Sequence, residues 1–392
     1  GFWASSGPLD GSSRGSGGRW SAHERTASAI PALQSGVKRV PAMIQYQLKL
    51  RPTRAQERTL GQWLWHLTGV WNWAVRKIEL DVHDGIFHSS KDFQNLLAGH
   101  GAKMEIPSHT LQGMLASAHT AWQRCFKRLA KRPRLKGRRN ALNSIPFPDP
   151  MRCPNGNRIG IPGLGSVRFH AMDVPEGTIK CGRLVRRASG WYLCAFIDAA
   201  PAPIPHVADG QVGIDPGFAS ILTLSTGEKI EHPRELERTA RRLAQAQRGR
   251  DRQLAARLQE RIANRRKDRN HKLSRRLVAE NHLIAFSADH HIAAAKVFGR
   301  SVASSGHAQL RTMLAYKSRA GGRTYREVEA RNSTKTCSSC GALTGPFGLV
   351  GLSVRHWRCG ACGASHDRDV NAARNALAAG AGTVHEGALC VA

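Results

Sequence analysis

The chain has 392 residues, which is more than one compact core usually holds, so two or three folded units are expected. It carries 59 Lys and Arg against 28 Asp and Glu, a formal net charge of +31 at pH 7. Such an excess favours a polyanionic partner, because neutralised phosphates release their counterions. No apolar run approaches the roughly 18 residues of a membrane span, and no signal-peptide core is evident, so a membrane protein is disfavoured.

The first elements along the chain are a strand and two helical stretches. Residues 1–42 are rich in Gly, Ser and Ala without a sustained period, which predicts a disordered extension. Alternating apolar residues from Ile44 to Leu50 predict a strand that ends at Pro52. Helical spacing follows from Thr53 to about Leu97 and from about Ser108 to Ala130. Core packing is the preferred interpretation, over base stacking, of the four tryptophans Trp63, Trp65, Trp71 and Trp73.

A run of cations follows the second helical stretch and includes both Pro and Gly. Because this run lies between folded segments, contact with phosphate is favoured over a merely solvated surface. The candidate nucleic-acid-binding residues are Lys131, Arg132, Arg134, Lys136, Arg138 and Arg139.

The second half begins with residues 140–205, where short apolar runs between frequent Gly and Pro predict a small β domain. An Arg-rich helical region from about Pro233 to Val278, broken near Gly249, indicates a helical hairpin. Most of its arginines are expected to be solvated, although one face can line a nucleic-acid duplex. The other predicted elements are a strand pair over Gly213–Leu224, a strand at Leu283–Phe286, a helix at Gln309–Ala320, a strand at Thr324–Glu329 and a helix at Asp369–Ala379.

Four of the nine cysteines form two C-x-x-C pairs, Cys337 with Cys340 and Cys359 with Cys362, separated by the residues 341–358. This spacing lets four thiolates converge on Zn²⁺ without an open coordination position, so a structural zinc ribbon is predicted. A glycine follows each pair and supplies a tight turn. The odd total and the scattered remaining cysteines fit a reducing compartment better than a disulfide framework.

Carboxylates from two distant segments are candidates for a second metal site. Asp215 ends an apolar strand with small residues around it, although Asp before Pro-Gly also makes an ordinary turn. Asp367 and Asp369 directly follow the cysteine region and begin a helix. Two-metal phosphodiester cleavage needs several hard oxygen ligands gathered from distant segments, which these acids can supply.

Five segments, in this order, carry a family resemblance. They are Arg51-Pro52-Thr53 with Gln56, Gly213-Ile214-Asp215 with Gly217, Leu314-Ala315-Tyr316-Lys317, Ser333-Thr334-Lys335-Thr336-Cys337 with Cys340-Gly341, and Asp367-Arg368-Asp369 with Asn371-Ala372-Ala373-Arg374-Asn375. Together they resemble the TnpB proteins of transposons, relatives of Fanzor and of the type V CRISPR effectors. The resemblance extends from about Met43 to the end of the chain.

The resemblance implies a fold of α/β plus α+β class: an RNase H-like RuvC domain with an inserted zinc ribbon, preceded by a small β wedge-like domain that carries a helical recognition insertion. The implied boundaries are 43–52 and 126–206 for the wedge-like domain, 53–125 for the helical insertion, 207–332 and 366–392 for the RuvC-like domain, and 333–365 for the ribbon. The implied partners are a guide RNA from the transposon and double-stranded target DNA. Cleavage would depend on Mg²⁺, in the cytoplasm of a prokaryote and at its nucleoid.

The middle strand departs from the family pattern. The family places a Glu there as its second acid, but Ser287 occupies that position, and a hydroxyl does not replace the charge of a bridging carboxylate. Glu329 is the preferred substitute, on the same face as Glu327 by strand alternation. Asp289 and Glu280 are weaker substitutes. The predicted magnesium ligands and catalytic residues are therefore Asp215, Glu329 and Asp369, with Asp367 as an alternative.

Three functions remain open from the sequence. The preferred one is an RNA-guided DNA endonuclease. A nuclease-dead, RNA-guided DNA-binding regulator on the same scaffold follows if nothing replaces the missing Glu. The third is a zinc-ribbon nucleic-acid-binding accessory without guided targeting. Whether one or two copies bind one RNA is also open.

Overall fold

The computed structural model describes residues 43–138, 140–151, 156–170, 174, 177–199, 203–217, 220–232, 234–288, 305–329, 331–347 and 350–382. The predicted disordered extension, Arg139 and Asp289 lie outside these residues. All the described residues belong to one unit of the chain, Pro41–Ala392. None of the helices in these ranges combines the length and the hydropathy that crossing a membrane requires.

The first sheet contains six strands. They are β1 (Met43–Arg51), β2 (Ser144–Phe147), β3 (Arg158–Ile161), β4 (Gly165–Phe169), β5 (Thr178–Arg187) and β6 (Gly190–Asp198). Their order is β2-β5-β6-β1-β4-β3, and every pairing is antiparallel. Leu48 of β1, Leu184 of β5 and Leu193 of β6 are fully buried, so the side chains between the sheet and the helices form one core.

Four helices separate β1 from β2: α1 (Arg54–His83), α2 (Ser90–Asn95), α3 (His100–Lys103) and α4 (Ser108–Phe126). Thr53 and Gln56 form a capping box at the start of α1. The Gln56 amide also donates to the carbonyl oxygens of Leu164 and Ser166, so the helix is fixed to the β3–β4 turn. The helix expected to run from Thr53 to about Leu97 instead ends at His83, because the chain turns at Gly85 with a φ of +74°.

The tryptophans of α1 divide between core and surface. Trp63 is 1% exposed and donates its indole N–H to the Glu105 carbonyl, which confirms core packing for this residue. Trp65 is 74% exposed and Trp73 is 36% exposed, so the core prediction is wrong for these two. The reason is helical geometry, since Trp65 is turned by about 200° around the helix axis from Trp63 and leaves the buried stripe.

The second sheet contains β7 (Gly210–Pro216), β8 (Leu222–Leu224), β9 (Lys229–Ile230), β10 (Asn281–Ala288) and β11 (Thr324–Glu329). Its order is β11-β10-β7-β8-β9. Strands β7, β8 and β9 pair antiparallel, whereas β10 and β11 run parallel to β7. This order and these directions are those of an RNase H-like sheet, which confirms the predicted fold class.

Helices cover both faces of the second sheet. They are α6 (Arg252–Glu280) and α7 (His307–Ala320) between strands, and α8 (Arg368–Ala381) after the cysteine region, whereas α5 (Arg234–Arg248) packs on α6. Ile214 and Phe286 pack in one core with residues of α6 and α7, including Leu277 and Leu314. On the other face, a Cβ at Gly213 would overlap the Ala373 carbonyl and lie 2.7 Å from the Leu377 nitrogen. Helix α8 therefore lies directly against the backbone of β7.

The cysteine region lies between β11 and α8. It contains a 3₁₀ turn, Val350–Ser353, and a two-stranded hairpin of β12 (His356–Arg358) and β13 (Ser365–Asp367). The hairpin runs directly into α8, because Asp367 is both the last residue of β13 and the N-cap of α8.

Candidate metal centres and nucleic-acid interface

The four cysteine sulfurs lie within 4.8 Å of one another. Two of the distances, from Cys337 to Cys362 and from Cys340 to Cys359, are both 3.7 Å. A tetrahedral zinc ion with Zn–S bonds of about 2.3 Å requires sulfurs about 3.8 Å apart. The predicted convergence of the cysteines is confirmed, and their geometry fits a closed, structural zinc site.

The two cysteine pairs have the same backbone geometry. The Gly341 amide donates to the Cys337 carbonyl and the Gly363 amide donates to the Cys359 carbonyl, both at 2.9 Å. The φ angles of the two glycines are +81° and +73°. Only glycine adopts this conformation without strain. Hydrogen bonds from the Thr344 hydroxyl and the Cys362 amide lower the pKa of Cys359, which favours the thiolate form that binds a metal.

Asp215 lies at the carboxyl end of β7 on the face covered by α8. Its register partner on β8 is Thr223, whose partner on β9 is Lys229. Paired residues on neighbouring strands project from the same face, so Asp215 and Lys229 share a row across the sheet. Gly213, two residues before Asp215, contacts the helix at Ala373, one turn beyond Asp369.

Lys229, which lies in the same row as Asp215, contacts both Asp367 and Asp369. The Lys229 ammonium lies 2.7 Å from Asp367 and 4.0 Å from Asp369, and Arg355 lies 3.5 Å from Asp369. Burial alone would raise the pKa of Asp367, but hydrogen bonds from Lys229 and from the Val370 and Asp369 amides lower it below its usual value. The fold thus brings Asp215 and the acids that begin α8 to one face of the sheet.

Glu329 and Ser287 lie on opposite faces. In the parallel register, Ser287 is level with Asp215 and pairs with Val328, whereas Glu329 pairs with Ala288. Glu329 therefore shares the face of Glu327, which forms an ion pair with Arg311 of α7. The four cysteine sulfurs are close enough together to share one metal ion. Among the described residues, Asp215, Glu329 and Asp369 do not form such a group, because their oxygens do not all lie within 4.8 Å of one another.

The cationic run predicted to contact phosphate is held against α1. Trp71 donates its indole N–H to the Arg134 carbonyl, and the Asn72 amide both donates to and accepts from the backbone of Lys136. Arg132 is paired with Glu79, whereas Lys131, Arg134 and Arg138 are exposed. These contacts order the backbone of the run and leave cationic side chains at the surface.

A second basic surface lies between the first sheet and α6. Arg257, Arg261 and Arg265 recur every four residues along α6 and line a cleft of 610 Å³ together with Lys49 and Tyr192. The turn between β5 and β6 closes one side of this cleft, where Ser189 donates through its amide and its hydroxyl to the Glu260 carboxylate. Evenly spaced arginines on one helix face suit the phosphates of a nucleic-acid strand.

Sequence reasoning missed several residues around the acids. Lys229 and Arg355 were not singled out, because contacts between residues so far apart in the chain leave no local pattern. Asn371 and Asn375 were quoted only as part of a family motif. Their spacing of four residues, which places two amides on one face of α8, was the available signal.

The sheet order and the cysteine group define the class: an RNase H-like protein with a Cys₄ ribbon between strand β11 and helix α8. Residues 201–288 match the family described as "Probable transposase", and residues 307–376 match "Cas12f1-like, TNB domain". A protein of Streptomyces pristinaespiralis, "Putative RNA-guided DNA endonuclease", is 34% identical over 298 residues, which are 70% of this chain and 72% of that protein. The chain belongs to the TnpB family, as the sequence motifs indicated.

More distant likenesses exist as well. "Putative RNA-guided DNA endonuclease InsQ" of Escherichia coli (strain K12) is 27% identical over 305 residues, 70% of this chain and 75% of that protein. The solved structure "Cryo-EM structure of the Cas12f1-sgRNA-target DNA complex" aligns with a TM-score of 0.35 and 15% identity over 86% of this chain and 99% of that one. A TM-score this low carries no weight beside the strand order.

Proposed function

We propose that this protein is an RNA-guided DNA endonuclease of the TnpB type. The observation that carries the proposal is the placement of Asp215 and of the acids that begin α8 on one face of an RNase H-like sheet. The names of the two relatives and the family membership support the same function.

Asp215 and Asp369 are the proposed magnesium ligands. Asp367 is less suited, because one of its oxygens accepts from the Asp369 and Val370 amides and the other accepts from Lys229. Carboxylate oxygens are the ligands that Mg²⁺ prefers. When bound, Mg²⁺ would lower the pKa of a water nucleophile and neutralise the charge that develops on the phosphate. Asp215 and Asp369 would orient that cation, and the close packing of α8 on Gly213 fixes their separation.

Glu329 remains the proposed substitute for the family's second acid. Its register puts it on the face of Glu327, so it reaches Asp215 only if the end of β11 turns over. A nuclease-dead, RNA-guided DNA-binding regulator is the second candidate function, since Ser287 and Val328 bring no carboxylate to the row of Asp215. Neither residue can supply the negative charge of the usual Glu.

The proposed partners are a transposon-derived guide RNA and double-stranded target DNA. The net charge of +31, the cationic run Lys131–Arg138 and the cleft along α6 support a polyanionic ligand. The Cys₄ group is proposed to hold zinc, and the protein is proposed to act in the cytoplasm, at the nucleoid.

The test is cleavage by the protein purified with its co-expressed RNA, supplied with Mg²⁺ and a target DNA library. Asp215→Asn should abolish cleavage, whereas Asp209→Asn, at the exposed residue before β7, should leave it near wild type. Guided binding without cleavage by the wild type would instead establish the regulator.

Glu329→Gln, compared with Glu327→Gln, tests whether Glu329 is a magnesium ligand. If Glu329→Gln cleaves as fast as the Glu327→Gln control, Glu329 is not part of the site.

A further inference from the structure

The first cysteine pair is bound to α8 by two asparagine side chains. The Asn371 amide donates to the carbonyls of Ser333 and Thr336, and its oxygen accepts from the Ser338 amide at 2.9 Å. One turn further along, Asn375 donates to the same two carbonyls, both at 2.7 Å. Asn371 is 1% exposed, so its hydrogen bonds are made away from water, where losing a partner is costly.

The second cysteine pair is joined to α8 through the backbone. Cys359 and Cys362 lie in the connection between β12 and β13, and β13 ends at Asp367, the N-cap of α8. His366 of β13 is buried, its ring lies 4.7 Å from that of Trp357, and its Nε2 lies 3.1 Å from the Cys337 sulfur. Both halves of the Cys₄ group therefore contact the segment that carries Asp369.

We propose that Asn371 and Asn375 are positioning residues that couple metal binding at the Cys₄ group to the position of the Asp369 carboxylate. This inference rests on the proposed function for the role of Asp369 as a metal ligand. An isolated helix of 14 residues is marginal in water, so the place of α8 is set by the surfaces it contacts. A bound metal fixes the Ser333–Ser338 backbone, and the two amides transmit that constraint to the first two turns of α8.

The coupling acts in both directions, because the free energy that links two sites is reciprocal. Weakening the asparagine contacts should therefore destabilise the metal at the cysteines as well as the carboxylate site. Residues that support metal ligands from outside the coordination sphere commonly change metal affinity by about 10- to 100-fold when they are replaced.

Asn371→Asp is the decisive variant, since it keeps the acceptor for the Ser338 amide but sets a carboxylate against two carbonyl oxygens. The full-length, zinc-loaded protein is mixed with the chromogenic chelator 4-(2-pyridylazo)resorcinol, and zinc release is followed by absorbance. Asn371→Asp should release zinc at least about 10-fold faster than wild type. Asn264→Asp, the same change at an exposed position of α6, should release zinc at the wild-type rate.

Binding of Mn²⁺, measured by electron paramagnetic resonance, reports on the carboxylate site without cleavage. Asn371→Asp should weaken Mn²⁺ binding several-fold while leaving affinity for duplex DNA in the absence of divalent ions unchanged. If either the half-saturating Mn²⁺ or the zinc-release rate stays at the wild-type value, the coupling is refuted. Should Asn371→Asp not fold, Asn375→Ala, which removes only two hydrogen bonds, decides by the same two measurements. A wild type that never cleaves contradicts the proposed function but leaves both measurements valid.

Discussion

At the scale of single residues, Ser287 is the residue that β10 brings to the row of Asp215. Ser287, which the sequence resemblance aligns with the family's usual Glu, is fully buried, and its hydroxyl oxygen has no hydrogen-bond partner among the described residues. A buried, unpaired hydroxyl loses its bonds to water and gains nothing in return. Ser287 is therefore a cost to stability as well as a missing charge.

Ser287→Ala should raise the free energy of unfolding by about 1 kcal/mol, because it removes a buried polar atom that has no partner. Urea denaturation followed by circular dichroism measures this. Ser274→Ala is the matched control, since that hydroxyl donates to the Asn270 carbonyl and accepts from Lys317, and its loss should destabilise the protein. A destabilised Ser287→Ala would show that the hydroxyl has a partner.

Lys317, from the family's Leu-Ala-Tyr-Lys motif, has a structural part in joining α6 to α7. Its ammonium donates to the His271 carbonyl and to the Ser274 hydroxyl. Burial and the neighbouring Arg275 lower the pKa of Lys317 from 10.5 to about 8. Between pH 8 and 10 the unfolded chain consequently binds more protons at this residue than the folded one.

Stability should therefore rise with pH across that window, by at most about 1.4 kcal/mol per pH unit for one proton. The measurement is the free energy of unfolding of wild type minus that of Lys317→Met, at pH 7, 8, 9 and 10. This difference should increase from pH 8 to pH 10 and be flat below pH 7. Lys272→Met, at an exposed position of α6, is the control; an equal slope there would contradict the assignment.

At the scale of elements, the contact between α8 and the second sheet decides where the acids lie. The helix approaches β7 at Gly213 and β10 at Ala285, where Gly380 faces the strand. Small residues at both crossings let the helix lie against the strand backbones. The same closeness makes the position of Asp369 sensitive to a single added methyl group.

Gly213→Ala should destabilise the protein by about 3 kcal/mol, because the new Cβ overlaps the Ala373 carbonyl and backbone cannot move as freely as a side chain. Gly61→Ala is the control: it lies inside α1 with no atom within 4 Å of the added Cβ, and should stabilise by about 0.5–1 kcal/mol. Thermal unfolding measures both. If the Gly213→Ala and Gly61→Ala variants had equal melting temperatures, α8 would not be packed on β7 as described.

At the scale of the whole molecule, the excess of positive charge is the feature that favours binding of a nucleic acid. The net charge of +31 is distributed so that an ordered cationic run and the arginine-lined cleft of α6 both face solvent. Ordering matters because a run whose backbone is already fixed loses less conformational entropy when a phosphate binds than a mobile run does. Trp71 and Asn72 provide this order for the run Lys131–Arg138.

Replacing Lys131, Arg134 and Arg138 together by Gln should weaken duplex DNA binding and reduce the slope of log K against log salt by up to about 3, since each lost phosphate contact contributes about 0.9. Fluorescence anisotropy at several salt concentrations measures the slope. Replacing the exposed Lys91, Lys103 and Lys272 by Gln removes the same charge elsewhere and should change the slope less. Equal slopes for the two triple variants would argue against a binding role for the run.

The sequence by itself determined the features whose pattern is local. Periodicity predicted β11 at its observed bounds and the break near Gly249, and the spacing of the cysteines predicted their convergence. It also identified the family, because five motifs occur in one order. These predictions are correct because helical and strand periods, turn glycines and metal-ligand spacing are properties of short segments.

Only the tertiary structure decided which distant side chains share a face. The register between β10 and β11 placed Glu329 with Glu327 and Ser287 with Asp215, and the path of α8 brought Lys229 to Asp367 and Asp369. A shift of one residue in the pairing of a strand moves every side chain to the opposite face of the sheet. The pairing register is set by packing of the whole sheet, which no short segment encodes.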